Sequence, residues 1–448
     1  MSKKGIRLIF ALAVFLVWTT MAASAEEKSP DRIVSEKLIV QIDFSSWIPE
    51  SLTVSPDCKH VAYAAEMDDK AFVVLDGEKK KQYDAIGPRT LSFSPDSSRM
   101  GYAANQGDKY FMIVDGDEGK KYDGIGGKGP IFSPDSKRVA YGAKEGDKYF
   151  VVVDGVEGKK YDGAGAPVFS PDSSGVAYGA IADSKYLVIL DEQEGKHYDS
   201  VSDPVFSPDS KRLAYVAKEG DTWFIVLDQE EGKKYDGLIA PTFSPDSKRL
   251  AYRARVDSEW FVVVDGKEEK KYGGMPDAPI IFSPDSTRLA YGVAYGIEQA
   301  SRIYWKGGKR WDAAKWTFPG FMVVDGKVGK LYAHIAFASV TFSPDSKRLA
   351  YGAQPPRSDK GWFLVVDGKE QRMYEDIGPP VFSPDSKLVA YGAGLGDKQF
   401  VVLDGKEGKI YDLVLAIGSG RVTFDSDDSL YYLAMSGNSI YSAHERIK

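Results

Sequence analysis

Apolar and polar positions alternate along this chain in a unit that recurs. Between Pro130 and Gly163 the order is a short apolar run (Pro130-Ile131-Phe132), a polar turn (Ser133-Pro134-Asp135-Ser136) and an alternating segment, Arg138 to Ala143. A polar glycine-containing loop follows at Lys144 to Asp147, then Tyr149 to Val153, which is apolar at every position. Proline at the second turn position with Asp and Ser around it suits a type I turn and predicts a hairpin connection. Strict alternation predicts a half-buried strand, whereas an unbroken apolar run of this length predicts a strand covered on both faces. Asp154-Gly155 ends that run with a tight-turn signal, since such turns need positive φ. The same pair stands at Asp76, Asp115, Asp265, Asp325, Asp367 and Asp404. The last segment, Lys159 to Asp162, is polar and lysine-rich, as suits an outer strand that must not pair with another molecule.

Ser-Pro-Asp recurs at Ser55, Ser94, Ser133, Ser170, Ser207, Ser244, Ser283, Ser343 and Ser383, at intervals of 39, 39, 37, 37, 37, 39, 60 and 40 residues. A degenerate tenth copy follows at Phe424-Asp425-Ser426-Asp427. Four short antiparallel strands in about 40 residues, apolar first and charged last, predict a propeller blade. The expectation is an all-β propeller of about ten four-stranded blades in a single ring. The tenth unit has room for about three strands, so the segment from Lys37 to Phe44 is expected to supply its fourth and close the ring. The alternative is two five-bladed rings, because ten blades exceed the usual number.

The units Phe132-Ser-Pro-Asp-Ser-Lys-Arg-Val-Ala-Tyr141 and Phe243-Ser-Pro-Asp-Ser-Lys-Arg-Leu-Ala-Tyr252 resemble the WD-like propeller repeats of the TolB family, over roughly Lys37 to Lys448. The resemblance implies the fold. For function it implies only a range, since such repeats serve exported binding proteins and accessory domains of peptidases.

The N-terminus changes the compartment. Lys3, Lys4 and Arg7 precede an apolar run from Leu8 to Trp18, and Ala23-Ser24-Ala25 supplies small residues for cleavage. Residues 1–25 read as a secretory leader, 26–37 as a flexible lead-in and 38–448 as the propeller, with an exported, periplasmic or extracellular product. Without the leader's three cations, the 58 basic residues fall to 55 against 65 acidic, so the charge moves from −7 to −10. That balance argues against nucleic acid or an anionic membrane as partner. The lone Cys58, beside a turn where other units have Ser, cannot form an internal disulfide and reads as incidental.

Regularity fails at one place. Tyr291 to Asp325 spans 34 positions where Tyr141 to Asp154 spans 13, so the loop between the second and third strands carries an insert at about 292–320. Three of the eight tryptophans, Trp305, Trp311 and Trp316, fall in it, with Tyr304, Phe318, Arg302, Lys306, Lys309 and Arg310. Aromatic and Arg side chains dominate binding hot spots, so Arg302, Tyr304, Trp305, Lys309, Arg310, Trp311 and Trp316 are the candidate ligand-binding residues; an elongated hairpin covering its own apolar surface is the other reading. The Tyr-Asp ending of other units becomes Tyr272-Gly273, Tyr332-Ala333 and Tyr374-Glu375 nearby, which marks this sector as drifted. Arg89, Lys128, Asp203 and Asp277 are weaker candidates at the tunnel mouth.

No nucleophile elbow, His-x-x-x-His pair or phosphate-binding loop is present, and His60, His197, His334 and His444 are scattered. No catalytic residue, metal or cofactor is expected. The expected function is an exported, non-enzymatic binding or scaffold propeller presenting loops and a tunnel mouth to a protein, peptide or glycan. The alternative is a cell-envelope hydrolase or lyase using carboxylates near the channel, which needs two of them about 5 to 10 Å apart.

Overall fold

A computed structural model describes residues 32–275, 278–294, 320–355, 361–415 and 422–447. The described residues form strands and turns, without a helix, in ten small antiparallel sheets. Each sheet is one blade, and blades are numbered here in chain order. Blade 3 shows the plan. Its second strand, Val139–Glu145, pairs with a third, Lys148–Val153, and the innermost strand is broken into Gly124–Ile125 and Ile131–Phe132. The outermost strand begins at Val156–Glu157 and is continued by the bridge from Tyr149 to Tyr161.

The predicted turns form for the predicted reasons. Ser136 N donates to Ser133 O (2.8 Å), and Ser136 itself has φ of 64°, so a type I turn is followed by a left-handed residue. Asp154 and Gly155 have φ of 50° and 80°, as the hairpin twist requires. Asp191-Glu192 and Asp228-Gln229 adopt the same conformation without glycine.

The unbroken apolar run explains the ring. Phe150 and Val152 pack toward blade 2, whereas Val151 between them packs toward blade 4. Each side chain is at most 1% exposed, so one strand feeds two interfaces. Ten apolar clusters fill ten interfaces: blade 1 meets blade 2, and so on round to blade 10, which packs on blade 1 through Leu433, Ile440, Val61 and Tyr63. The boundary between blades 5 and 6 is packed like the others, with Val216, Ile225, Tyr252 and Phe261. The ten blades therefore form one ring, and the two-ring alternative is excluded.

Polar contacts repeat with the blades. Asp135 N donates to Ser173 Oγ on blade 4 (3.0 Å), and each turn from Asp57 to Asp345 makes the same bond to the following blade. On the rim, Glu157 on the outermost strand of blade 3 accepts from Lys120 Nζ (2.5 Å) and from the buried Tyr122 hydroxyl (3.1 Å) of blade 2.

The closing strand starts earlier than the sequence suggests. Arg32–Gln41 pairs along its whole length with Ser439–Ile447, from Arg32 opposite Ile447 to Gln41 opposite Ser439. The lead-in assigned to 26–37 is thus corrected from Arg32 onward, because the charged residues there have partners. Glu36 receives Lys409 Nζ (2.6 Å) and the Tyr411 hydroxyl (2.6 Å), the role Glu157 plays elsewhere. Arg32 lies against Glu445 at 3.2 Å with side-chain exposures of 4% and 1%. Residues 1–31, including the segment 1–25 read as a leader, lie outside the described residues.

Candidate functional site

Antiparallel order puts the loops between second and third strands at the same end as the connections between blades, opposite the Ser-Pro-Asp and Asp-Gly turns. A carboxylate ties that end together. Asp123, which follows Tyr122, accepts from Lys109 Nζ of its own blade (2.5 Å) and from Gly146 N in the next blade's loop (2.6 Å). Asp84, Asp162, Asp199 and Asp412 do the same, and these contacts hold each carboxyl below the usual range, the lysine bond first. Glu375 retains the second contact, to Gly396 N (3.0 Å).

The drifted sector departs from this network at two places. Gly273 and Ala333 precede blades 7 and 8, whose loops are longer than Lys144 to Asp147 in the sequence. Glu375 is no departure, since it performs the same task. The drift at Gly273 and Ala333 thus coincides with the two longer loops in the sequence.

The insert is rooted in blade 7. Gly292, Val293 and Ala294 pair with Met322, Phe321 and Gly320, so the ladder runs three residues past the expected start at 292. Phe337 of blade 8 lies against the root; a Cβ added at Gly292 would stand 2.1 Å from its ring. Arg302, Tyr304, Trp305, Lys309, Arg310, Trp311 and Trp316 all lie outside the described residues, as does Asp277. Beside the root, blade 8 carries three residues that the sequence reading missed. His334 pairs with Gln354, and its ring meets Trp362 edge-on at 5.1 Å. His334 Nδ1 and Gln354 Oε1 are buried without a hydrogen-bond partner among the described residues, and burial lowers the imidazole pKa, favouring the neutral ring. Their signal was available: His334, Gln354 and Trp362 stand where blade 3 has Gly124, Lys144 and Tyr149.

Arg89, Lys128 and Asp203 lie in the gaps that break the innermost strand of their blades. Arg89 reaches Glu50 of blade 1 through Nη2 (2.6 Å) and Nε (3.0 Å), with both side chains exposed. Lys128 borders a cavity of about 220 Å³ with Gly126, Gly127, Gly165 and Pro167. Asp203 is exposed within Ser202-Asp203-Pro204.

One grouping has the composition of a catalytic triad without its geometry. On blade 10, Ser429 Oγ lies 2.6 Å and Asp425 Oδ2 3.2 Å from His444 Nε2. Both reach the same nitrogen, so the carboxylate does not orient the imidazole toward the hydroxyl through the opposite one. Among the described residues, no group of three His, Cys, Asp or Glu side chains is placed to hold a metal ion, and no helix is long and apolar enough to cross a membrane. Cys58, buried at 2%, takes the left-handed turn position that Ser136 occupies in blade 3.

No protein-family model matches the chain, and no curated protein matches it. Similar solved structures include a eukaryotic initiation factor, at 12% identity, 78% of this chain, 95% of that chain and TM-score 0.43. TolB from Acinetobacter baumannii is similar at 17% identity, 62% of each chain and TM-score 0.28. The β-propeller domain of the Trilobed protease from Pyrococcus furiosus is similar at 13% identity, 64% of this chain, 95% of that chain and TM-score 0.32. The propeller assignment rests on the ten sheets and ten interfaces themselves.

Proposed function

We propose that this chain is an exported, non-enzymatic binding propeller whose insert-bearing face receives a protein, peptide or glycan. The observation that carries the reading is a 25-residue excursion, 295–319, launched from the rigid pair Ala294 and Gly320. It holds three tryptophans and Arg302, Lys306, Lys309 and Arg310 on a chain of net charge −7. Tryptophan faces stack on sugar rings and apolar side chains, and the local cations favour acidic partners. The unpaired His334 Nδ1 and Gln354 Oε1 beside the root support it, because buried polar atoms without partners cost about 1 to 3 kcal/mol each and stability alone does not explain them. The leader-like N-terminus supports export.

The test replaces 295–319 with the Glu145-Gly146-Asp147-Lys148 loop of blade 3 and screens both proteins against a glycan array and acidic peptides. The proposal expects a ligand bound by the full chain and lost from the short-loop protein at unchanged Tm. Equal binding by both, or no ligand for either, counts against it.

A further inference from the structure

On the opposite face, an arginine locks most blades to the next. In blade 3, Arg138 Nε donates to Asp154 Oδ2 (2.9 Å), and one Nη donates to Ser173 O (3.0 Å) and Ser174 O (2.8 Å) in blade 4's turn. Its guanidinium carbon stands 5.2 Å from the centre of the Phe169 ring. Arg99, Arg288 and Arg348 repeat all four contacts, and Arg212 and Arg249 repeat at least the carboxylate and ring contacts.

Blade 4 has Gly175 at this position, yet every acceptor remains. Asp191 Oδ1 takes the Val176 N–H (2.8 Å), as Asp154 takes that of Val139, which leaves Oδ2 available. Among the described residues no cation reaches Asp191 or the Phe206 ring, and no donor reaches Ser210 O or Lys211 O. A cavity of about 430 Å³ occupies the gap, bordered by Gly175, Asp191, Phe206, Ser210 and Lys211. Nothing about the backbone requires glycine: its φ is not left-handed, and an added Cβ would meet no atom closer than 3.4 Å.

Three other blades lack the arginine. Blade 10 has Ser429 at this position, with its Oγ 2.6 Å from His444 Nε2. At blade 1 a cavity of about 490 Å³ also borders Asp76, Phe93, Ser97 and Ser98, but the carboxylate there is already engaged. In blade 1, His60 Nδ1 contacts Asp76 Oδ2 at 2.6 Å, with its ring 6.5 Å from Phe93. In blade 9, Leu388 faces the degenerate turn of blade 10, where Asp425-Ser426-Asp427-Asp428 replaces Ser-Pro-Asp-Ser.

We propose that the groove between blades 4 and 5 binds a guanidinium group. A carboxylate oxygen, two backbone carbonyls and an aromatic face are arranged as in the four blades whose arginine, Arg99, Arg138, Arg288 or Arg348, makes all four contacts. A flat, donor-only fork matches all four, whereas an ammonium of the same charge cannot span the carboxylate and both carbonyls while lying on the ring. The guanidinium can come from an arginyl side chain of a polypeptide or from a small guanidinium compound.

The test uses the full chain and methylguanidinium, followed by amide NMR shifts. The expected result is saturable binding on the order of millimolar, with shifts at Gly175, Asp191, Ser210 and Lys211. Methylammonium and the Asp191→Asn variant should each bind about tenfold more weakly. Gly175→Arg, which supplies the arginine internally, should abolish binding and raise Tm. Arg138→Gly provides a second reading should Gly175→Arg fail to fold. It should lose Tm, recover it with methylguanidinium, and show a new set of shifts at Asp154, Ser173 and Ser174. Agmatine and a capped Gly-Arg-Gly peptide distinguish the sources: the tighter binder names the natural class. Absence of saturable shifts in the unaltered chain, or binding that survives Asp191→Asn undiminished, overturns the proposal.

Discussion

Removing the Arg32 side chain probes the seam at which the ring closes. Arg32 Nη1 meets Glu445 Oε2 at 3.2 Å, and Nη2 donates to Leu403 O (3.1 Å) and Lys406 O (2.6 Å) of blade 9. Glu445 is 1% exposed, and its other oxygen accepts the Tyr432 hydroxyl at 2.6 Å. Arg32→Ala therefore strands a buried carboxylate and unpairs two carbonyls. Breaking a buried pair from one side costs about 3 to 5 kcal/mol. Unfolding entropy of about 2.1 cal/mol/K per residue over roughly 400 residues gives ~0.85 kcal/mol/K, so Tm should fall by about 4 to 6 °C. Amides of Arg32 to Gln41 should also exchange faster, before the blades open. Glu445→Gln should destabilise the parent chain yet restore stability to the Arg32→Ala chain, because a neutral amide needs no counter-charge. Calorimetry and hydrogen exchange on the four proteins form a double-mutant cycle. Additive effects, or an Arg32→Ala chain as stable as the parent, would refute the buried-pair reasoning.

Other consequences follow from the same contacts. Gly292→Ala should lower stability by about 1 to 3 kcal/mol through collision with Phe337, and Phe337→Ala in the same chain should relieve it; a loss that persists contradicts the packing. Asp123→Ala should speed amide exchange at Gly146 while leaving Gly220 unchanged, since each clamp serves one boundary. The Ser170 and Ser283 hydroxyls hold Asp172 and Asp285 down to about 2, so their stabilisation is complete above about pH 4 and is lost as pH falls through about 2. Thermal melts from pH 5 to 2 should show it, and a flat profile would contradict it. Burial pushes Tyr102, Tyr178, Tyr215 and Tyr351 up to about 12. Their contribution is complete below about pH 10 and is lost as pH rises through about 12, visible as tyrosinate absorbance that rises together with unfolding.

The period carried most of the fold. Ser-Pro-Asp at near-40-residue intervals marks the blades, and the doubly apolar run at Tyr149 to Val153 already states that each blade has two neighbours. The seam was legible in outline but misplaced: Arg32 and Glu36 read as solvated charges because their partners, Glu445 and Lys409, are some 400 and 370 residues away. The same separation hid the arginine lock, since Arg138 looks like an exposed strand-start residue until the carbonyls of Ser173 and Ser174 come into reach. The change at Glu375 was visible, but that it keeps the clamp was not, because its partner Gly396 lies in the loop of the following blade. His334, Gln354 and Trp362 were each odd against the repeat, and only the register from His334 to Gln354 brings them together. The insert was legible as composition alone.

A cysteine cross-link tests the single closed ring most directly. Lys37 and Ser442 are paired residues on the first and last strands. In a Cys58→Ser background, Lys37→Cys with Ser442→Cys should form an intrachain disulfide in monomeric protein and raise Tm. The same Lys37→Cys paired with Glu230→Cys on blade 5, where a five-bladed ring would close, should stay reduced. A bond to position 230, or none to position 442, would contradict the ten-bladed ring.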